Sequence, residues 1–144
     1  MTEPLLKLPT TDAEWRLRLS PDEFRVLRLA GTEAPWSGEY VETKTEGTYH
    51  CRACGAQLFD SDTKFDSGSG WPSFYDVKNS KNVKLIDDNT LGMHRVEVEC
   101  AVCGSHLGHV FNDAYDQPTG RRFCINSAAL DFMPKDSDKK VPGV

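Results

Sequence analysis

Basic residues are in the minority in this chain: 17 lysines and arginines stand against 22 aspartates and glutamates, for a net charge of −5. A nucleic-acid binder normally carries a positive footprint for the phosphates, so this balance argues against that class. Long apolar runs are missing as well. No segment approaches the ~20 consecutive apolar residues that a spanning helix needs, which sets aside a helical membrane protein. Met1 to Trp15 contain Glu3, Asp12 and Glu14 and no run of signal-peptide length. The expectation is therefore a cytoplasmic location, with neither nucleic acid nor membrane as partner. Hydrophobic residues occupy only 38% of the 144 positions, enough for one domain but not for a generous core. A core of that kind gains from a metal clip.

Cysteine is also scarce, and its five occurrences divide as two pairs plus one. Cys51-Arg52-Ala53-Cys54-Gly55 and Cys100-Ala101-Val102-Cys103-Gly104 share one design. In a reducing compartment such pairs serve metal binding or catalysis rather than a disulfide framework. Two short Cys-x-x-Cys turns suit a tetrahedral zinc ion, and the trailing glycines permit the left-handed backbone that aims amides at the sulfurs. Two alternatives stand beside a structural zinc. A thioredoxin-type redox pair needs a strand-to-helix junction, and neither pair precedes a convincing helix. A nucleic-acid-binding zinc ribbon needs basic neighbours and a shorter insert than Gly55 to Glu99. Zinc is favoured over iron because sulfur-only iron sites are less common as plain clips.

Along the chain, Met1 to Pro9 is a loose lead-in. Thr11 to Glu14 caps a first helix, and Ser20-Pro21-Asp22-Glu23 starts a second. Phe24, Leu27 and Ala30 form its apolar face, and Gly31 stops it. Short apolar stretches among Gly, Pro, Asn and Asp then predict a β-rich body. The strongest strand is Met93 to Cys100, with Val96, Val98 and Cys100 on one face and Arg95, Glu97 and Glu99 on the other. Lys81 to Ile86 is its candidate partner across a turn at Asp87-Asp88-Asn89. Another strand begins at Phe123, and Lys135 to Val144 is a charged tail. The expected division is an extension over 1–19, one folded unit over 20–134 and a tail over 135–144.

Cys124 stands apart, in Arg121-Arg122-Phe123-Cys124-Ile125-Asn126-Ser127. In extended backbone Arg122, Cys124 and Asn126 share a polar face while Phe123 and Ile125 share the other. Cys124 is then either an inert small hydrophobe in the core or a reactive thiol whose pKa the arginines lower. His106-Leu107-Gly108-His109-Val110-Phe111 follows the second pair. If the chain turns at Gly108, both rings converge and can donate or take a proton; surface histidines or extra ligands are the alternatives. Trp71, after the flexible Asp66 to Gly70, is either packed core or an apolar wall for a small ligand.

Cys51-x-x-Cys54-Gly55, Gly70-Trp71-Pro72-Ser73-Phe74, Cys100-x-x-Cys103-Gly104, His106-x-x-His109-x-Phe111 and Arg122-x-Cys124-x-Asn126-Ser127 together resemble the B-class methionine sulfoxide reductases, from about Ser20 to Phe132. The resemblance implies a mainly β fold, two antiparallel sheets in a tent-like arrangement with short N-terminal helices, stapled by zinc on Cys51, Cys54, Cys100 and Cys103. It implies a substrate, the R epimer of methionine sulfoxide within oxidised proteins. Cys124 matches the nucleophile that becomes a sulfenic acid. His106, His109 and Asn126 match sulfoxide-binding and proton-donating positions. Arg122, Asp113 and Phe111 match supporting positions, and Trp71 the aromatic that cradles the substrate methyl. Ser69 stands where many members have a resolving cysteine, so an outside thiol, thioredoxin or glutaredoxin with glutathione, is the expected reductant. The reading from another class is a zinc-dependent binding module in which Cys124 is not catalytic.

Overall fold

Two short helices form where the capping residues stand. In the computed structural model, which describes residues 11–78, 80–89 and 95–135, α1 spans Asp12–Arg18 and α2 spans Pro21–Leu27. Each opens on a capping box, Thr11 with Glu14 and Ser20 with Glu23. Trp15 of α1 and Phe24, Val26 and Leu27 of α2 are buried in the common core. The second helix is shorter than the sequence predicts. It ends at Leu27, Ala30 turns left-handed at φ 58° and is exposed, and the Gly31 N–H closes back on the Arg25 carbonyl at 2.9 Å. Val26, not Ala30, completes its buried face.

The body is β, as predicted. The strands are β1 (Gly47–Cys51), β2 (Gln57–Asp60), β3 (Lys64–Phe65), β4 (Ser73–Phe74), β5 (Val83–Asp88), β6 (Arg95–Cys100), β7 (His106–Phe111), β8 (Arg122–Ile125) and β9 (Leu130–Pro134). Among the described residues they make two antiparallel sheets, ordered β2-β1-β9 and β3-β4-β8-β7-β6-β5. The anticipated β5–β6 pairing is present, from Val83 opposite Cys100 to Asp88 opposite Arg95. Asp87 and Asp88 are strand residues rather than turn residues. The connection falls over 90–94, outside the described residues, together with Met93 and His94 of the predicted strand. The lead-in Met1–Pro9 and positions 136–144 of the tail also lie outside them. Lys135 does not trail freely, since its N–H donates to the Glu46 carbonyl at 2.8 Å.

The inner faces of the two sheets meet through aromatic rings. Phe59 of β2 stacks on Phe74 of β4 at 4.5 Å, Tyr49 of β1 meets Phe74 edge-on at 5.1 Å, and Phe59 reaches Phe123 of β8 at 5.8 Å. Such pairs add ~0.5–1.5 kcal/mol each beyond their burial. The stack also sets the orientation of β8. Phe123 and Ile125, 1% and 0% exposed, point into it, so strand alternation turns Cys124 to the opposite face.

Candidate active site and cysteine cluster

Each cysteine pair is a knuckle at a strand end. After β1 the Gly55 N–H donates to the Cys51 carbonyl at 2.8 Å, and after β6 the Gly104 N–H donates to the Cys100 carbonyl at 2.8 Å. Gly55 and Gly104 adopt φ of 87° and 78°, the left-handed conformation that their lack of Cβ permits. Both knuckles lead into strands, β2 and β7, not helices, which removes the thioredoxin-type geometry. The four sulfurs lie within 4.8 Å of one another, with Cys51 to Cys103 at 3.7 Å and Cys54 to Cys100 at 3.6 Å. A tetrahedral ion with bonds of ~2.3 Å would hold sulfurs ~3.8 Å apart, so the four cysteines fit a metal ion. One knuckle belongs to each sheet, and an ion here would staple the sheets together.

Cys124 lies on the other side of β8, in a cleft of about 220 Å³. Trp71, His109, Phe111, Arg122 and Asn126, all candidates from the sequence, line the same cleft. His106 and Asp113 do not line it but stand behind residues that do. Asp113 takes two 3.0 Å hydrogen bonds from Arg122, from Nε and Nη2, and the guanidinium lies 4.5 Å over the Phe111 ring. The Arg122 guanidinium holds the Asp113 carboxyl below the usual carboxylate range.

The thiol itself departs from expectation. Burial pushes the Cys124 pKa up, and Arg122 opposes that without reversing it. Part of the reason is that Arg122 is already neutralised by Asp113. Arg121 is turned away, 5.0 Å over the Phe123 ring and 3.6 Å from Asp76.

The two histidines converge, but not through a turn at Gly108. Residues 106–111 are one strand, and three positions apart on a regular strand the rings would point to opposite faces. A bulge removes the conflict. Opposite β6, Glu97 pairs with His109 and Val98 with Gly108, but Glu99 pairs with His106, so Leu107 is an extra residue. Both rings therefore emerge on the Glu97 and Glu99 face, with centroids 5.4 Å apart. His106 Nδ1–H donates to Glu97 at 2.7 Å, and His109 Nε2 lies 2.9 Å from Asp88. Burial, then the neighbouring His109, pulls the His106 pKa down to about 4. Its Nε2 is buried with no hydrogen-bond partner among the described residues.

Gly108 carries a separate constraint. A Cβ there would sit 2.0 Å from the Cys124 carbonyl oxygen, so only glycine lets β7 lie this close to β8.

Asn126 is 3% exposed, and its amide is fully committed on one side. Its Nδ2 and its own N–H both donate to the carbonyl of the bulged Leu107, each at 3.0 Å. Its Oδ1 accepts from the Glu33 N–H at 3.0 Å. The Glu33 carbonyl in turn accepts the Trp71 indole N–H at 3.0 Å.

Residues 19–134 match the family described as SelR domain. The chain is 55% identical over 130 residues to a peptide methionine sulfoxide reductase MsrB of Leifsonia xyli, covering 90% of this chain and 94% of that protein. The chain belongs to the B-class methionine sulfoxide reductase family. A second MsrB relative, from Thiobacillus denitrificans, is 56% identical over 128 residues, 89% of this chain and 96% of its own. The mouse protein named methionine-R-sulfoxide reductase B3, mitochondrial, is 50% identical over 133 residues, covering 92% of this chain and 52% of that protein.

Within this B-class reductase fold, three supporting residues escape the sequence reading. Glu97 belongs to a face recognised as polar, but its histidine partner depends on the bulge. Asp88 is assigned to a turn, and strand pairing instead brings it to His109. Glu33 sits in an irregular segment with no pattern to single it out.

Proposed function

We propose that this chain reduces the R epimer of methionine sulfoxide within oxidised proteins, with Cys124 as nucleophile. The carrying observation is the placement of Cys124 in one cleft with Trp71 and His109. The names of the relatives supply the substrate class. Sulfoxide sulfur is a weak electrophile until its oxygen takes a proton, so the site needs a thiolate and an acid together. The Cys124 thiolate attacks sulfur, the S–O bond breaks toward Cys124, and one proton is taken up. The products are methionine and a Cys124 sulfenic acid, two electrons having passed from the cysteine to the substrate sulfur.

His109 is the proton donor in this reading, because it forms part of the cleft wall. His106 stands behind it, held neutral by burial, and supports its position. Asn126 binds the sulfoxide oxygen, and Trp71 packs against the substrate methyl, which selects the epimer. Arg122, fixed by Asp113 and Phe111, opposes the burial that keeps the thiol protonated.

The other four cysteines are gathered in the cluster, and Ser69 rather than a cysteine lines the cleft. No second thiol is at hand, so an external thiol attacks the sulfenic acid, releasing water, and a further thiol releases Cys124. Thioredoxin or glutaredoxin with glutathione, in the cytoplasm, fits that need. The cluster is read as a structural zinc site, one ion per chain; thiolate ligands of this number and spacing suit zinc. The reductase unit is residues 20–134, with 1–19 as an extension.

The deciding assay incubates the protein with a peptide carrying methionine-R-sulfoxide and dithiothreitol. Methionine should form from the R epimer and not the S epimer, and Cys124→Ser should abolish it with fold and metal content intact. Wild-type turnover by Cys124→Ser, or an intrachain disulfide at Cys124 after one turnover, would overturn this reading.

A further inference from the structure

We propose that Ser69 donates a hydrogen bond to Cys124 Sγ as the last link of a directed chain of serine hydroxyls, Ser73 to Ser67 to Ser69, and so activates the sulfur. The inference rests on Cys124 being the reacting thiol. A serine hydroxyl has one proton to give and two lone pairs to receive. Ser69 Oγ receives from the Ser67 hydroxyl at 2.8 Å and from the Trp71 N–H at 3.4 Å. Both its acceptor positions are then taken, and its own proton must go outward. It lines the same cleft as Cys124, whose sulfur is the acceptor the proposal gives to that proton.

The same accounting orients the rest of the chain. Ser67 spends its proton on Ser69, so the 2.7 Å contact between Ser67 and Ser73 takes Ser73 as donor, with the Trp71 carbonyl at 3.2 Å as the longer second acceptor of the Ser73 proton. Ser67 Oγ also receives the Ser69 N–H at 3.3 Å, which fills it. Ser73 is 1% exposed and is the β4 residue paired directly with Cys124 on β8, so the chain starts from a fixed point beside the thiol. In this arrangement the Ser67 and Ser69 protons are directed toward the sulfur, with the Ser73 hydroxyl behind them. Donors aligned in this way favour the anion over the neutral thiol, and each hydroxyl polarises the next.

Other groups also act on Cys124. Arg122 lies on its own strand with Asp113 behind it. His109 faces it from β7 with Asp88 of β5 behind, and Arg95 of β6 reaches the cleft wall. From β4 and the 66–71 loop, hydroxyls and the indole are what line the approach. A Ser69 substitution therefore leaves every charged neighbour in place.

The test measures the pH dependence of Cys124 alkylation by iodoacetamide in the metal-loaded protein, followed by mass spectrometry, with no sulfoxide present. Ser69→Ala should slow alkylation at pH 7 about tenfold and move the titration upward, the size expected for one lost charge-assisted hydrogen bond. Ser69→Thr should restore the wild-type profile. Ser67→Ala should shift it in the same direction by less, and it stands as the test if Ser69→Ala does not fold. A Ser69→Ala profile superimposed on wild type, or equal shifts in Ser69→Ala and Ser69→Thr, would overturn the proposal. Because the readout needs no substrate, failure of the reductase assay and failure of this inference are separate results.

Discussion

Glu33 and Asn126 are 93 positions apart, yet the main-chain N–H of Glu33 donates to Asn126 Oδ1 at 3.0 Å. The same residue takes the Ser127 and Ala128 N–H groups on its carboxylate at 2.8 and 2.9 Å and the Trp71 indole on its carbonyl. One residue before the β body thus holds two walls of the cleft. Glu33→Ala removes the acceptor for two amides, one of them buried, and should lower stability by about 3 kcal/mol. Glu33→Gln keeps one acceptor and should lose less. With Trp71 and Asn126 loosened, KM for a sulfoxide peptide should rise more than kcat falls. Urea unfolding and steady-state kinetics check this; equal stability of the Ala and Gln variants would refute the capping role.

Much of this site is legible in the sequence where its logic is local. The two Cys-x-x-Cys-Gly units signal their own geometry, because each turn and its glycine close within a few residues. Period two along Arg122 to Asn126 places Cys124 opposite the core, since Phe123 and Ile125 have only one apolar face to join. What depends on pairing between strands is hidden. The single extra residue Leu107 decides that His106 and His109 share a face, and nothing in His-x-x-His announces a bulge. The Cys124 pKa is hidden for a similar reason: adjacent arginines are visible in sequence, but their partners Asp113, Asp76 and Phe123 come from the fold.

Among the described glycines, Gly108 is the one where an added Cβ would have least room. A Cβ would have to sit 2.0 Å from the Cys124 main-chain oxygen, and a backbone atom cannot rotate aside. Gly108→Ala should push β7 from β8, lower stability by ~1–3 kcal/mol and reduce kcat/KM at least tenfold, as His109 and Cys124 sit on those strands. Gly55→Ala is the comparison: nothing lies within 4 Å of its Cβ, so only the strain of φ 87° should be felt. Thermal unfolding and kinetics on both variants decide the matter. Full activity in Gly108→Ala would show that the strands separate without consequence.

The cysteine cluster joins the β1–β2 hairpin to the β6–β7 hairpin, so losing its metal should act on the whole fold. Structural zinc in small peptides is worth ~10–16 kcal/mol, more than the ~5–15 kcal/mol that typically holds a domain. Cys51→Ser should leave the protein unfolded or aggregated at 37 °C, and a strong chelator should do the same to the wild type. Cys124→Ser should keep one metal ion per chain and an unchanged melting curve. Elemental analysis and circular dichroism test both. A soluble, folded, metal-free Cys51→Ser protein would contradict the stapling role.

His106 gives the acid limb of stability a definite shape. Its ordinary pKa is 6.5, and in the fold burial holds it at about 4. Above pH 6.5 the ring is neutral in both states and its full contribution is present. Below that, the unfolded chain takes up a proton that the folded chain refuses until about pH 4. Stability is therefore lost as pH falls through this window, by up to about 3 kcal/mol. His106→Gln does not titrate there and can still donate to Glu97. The difference in unfolding free energy between wild type and His106→Gln should shrink by that amount between pH 7 and pH 4. Proton competition at the four cysteines is common to both proteins and cancels in the difference. A difference that stays flat with pH would mean that Glu97, 2.7 Å away, offsets the burial and leaves the ring titrating alike in the folded and unfolded chains.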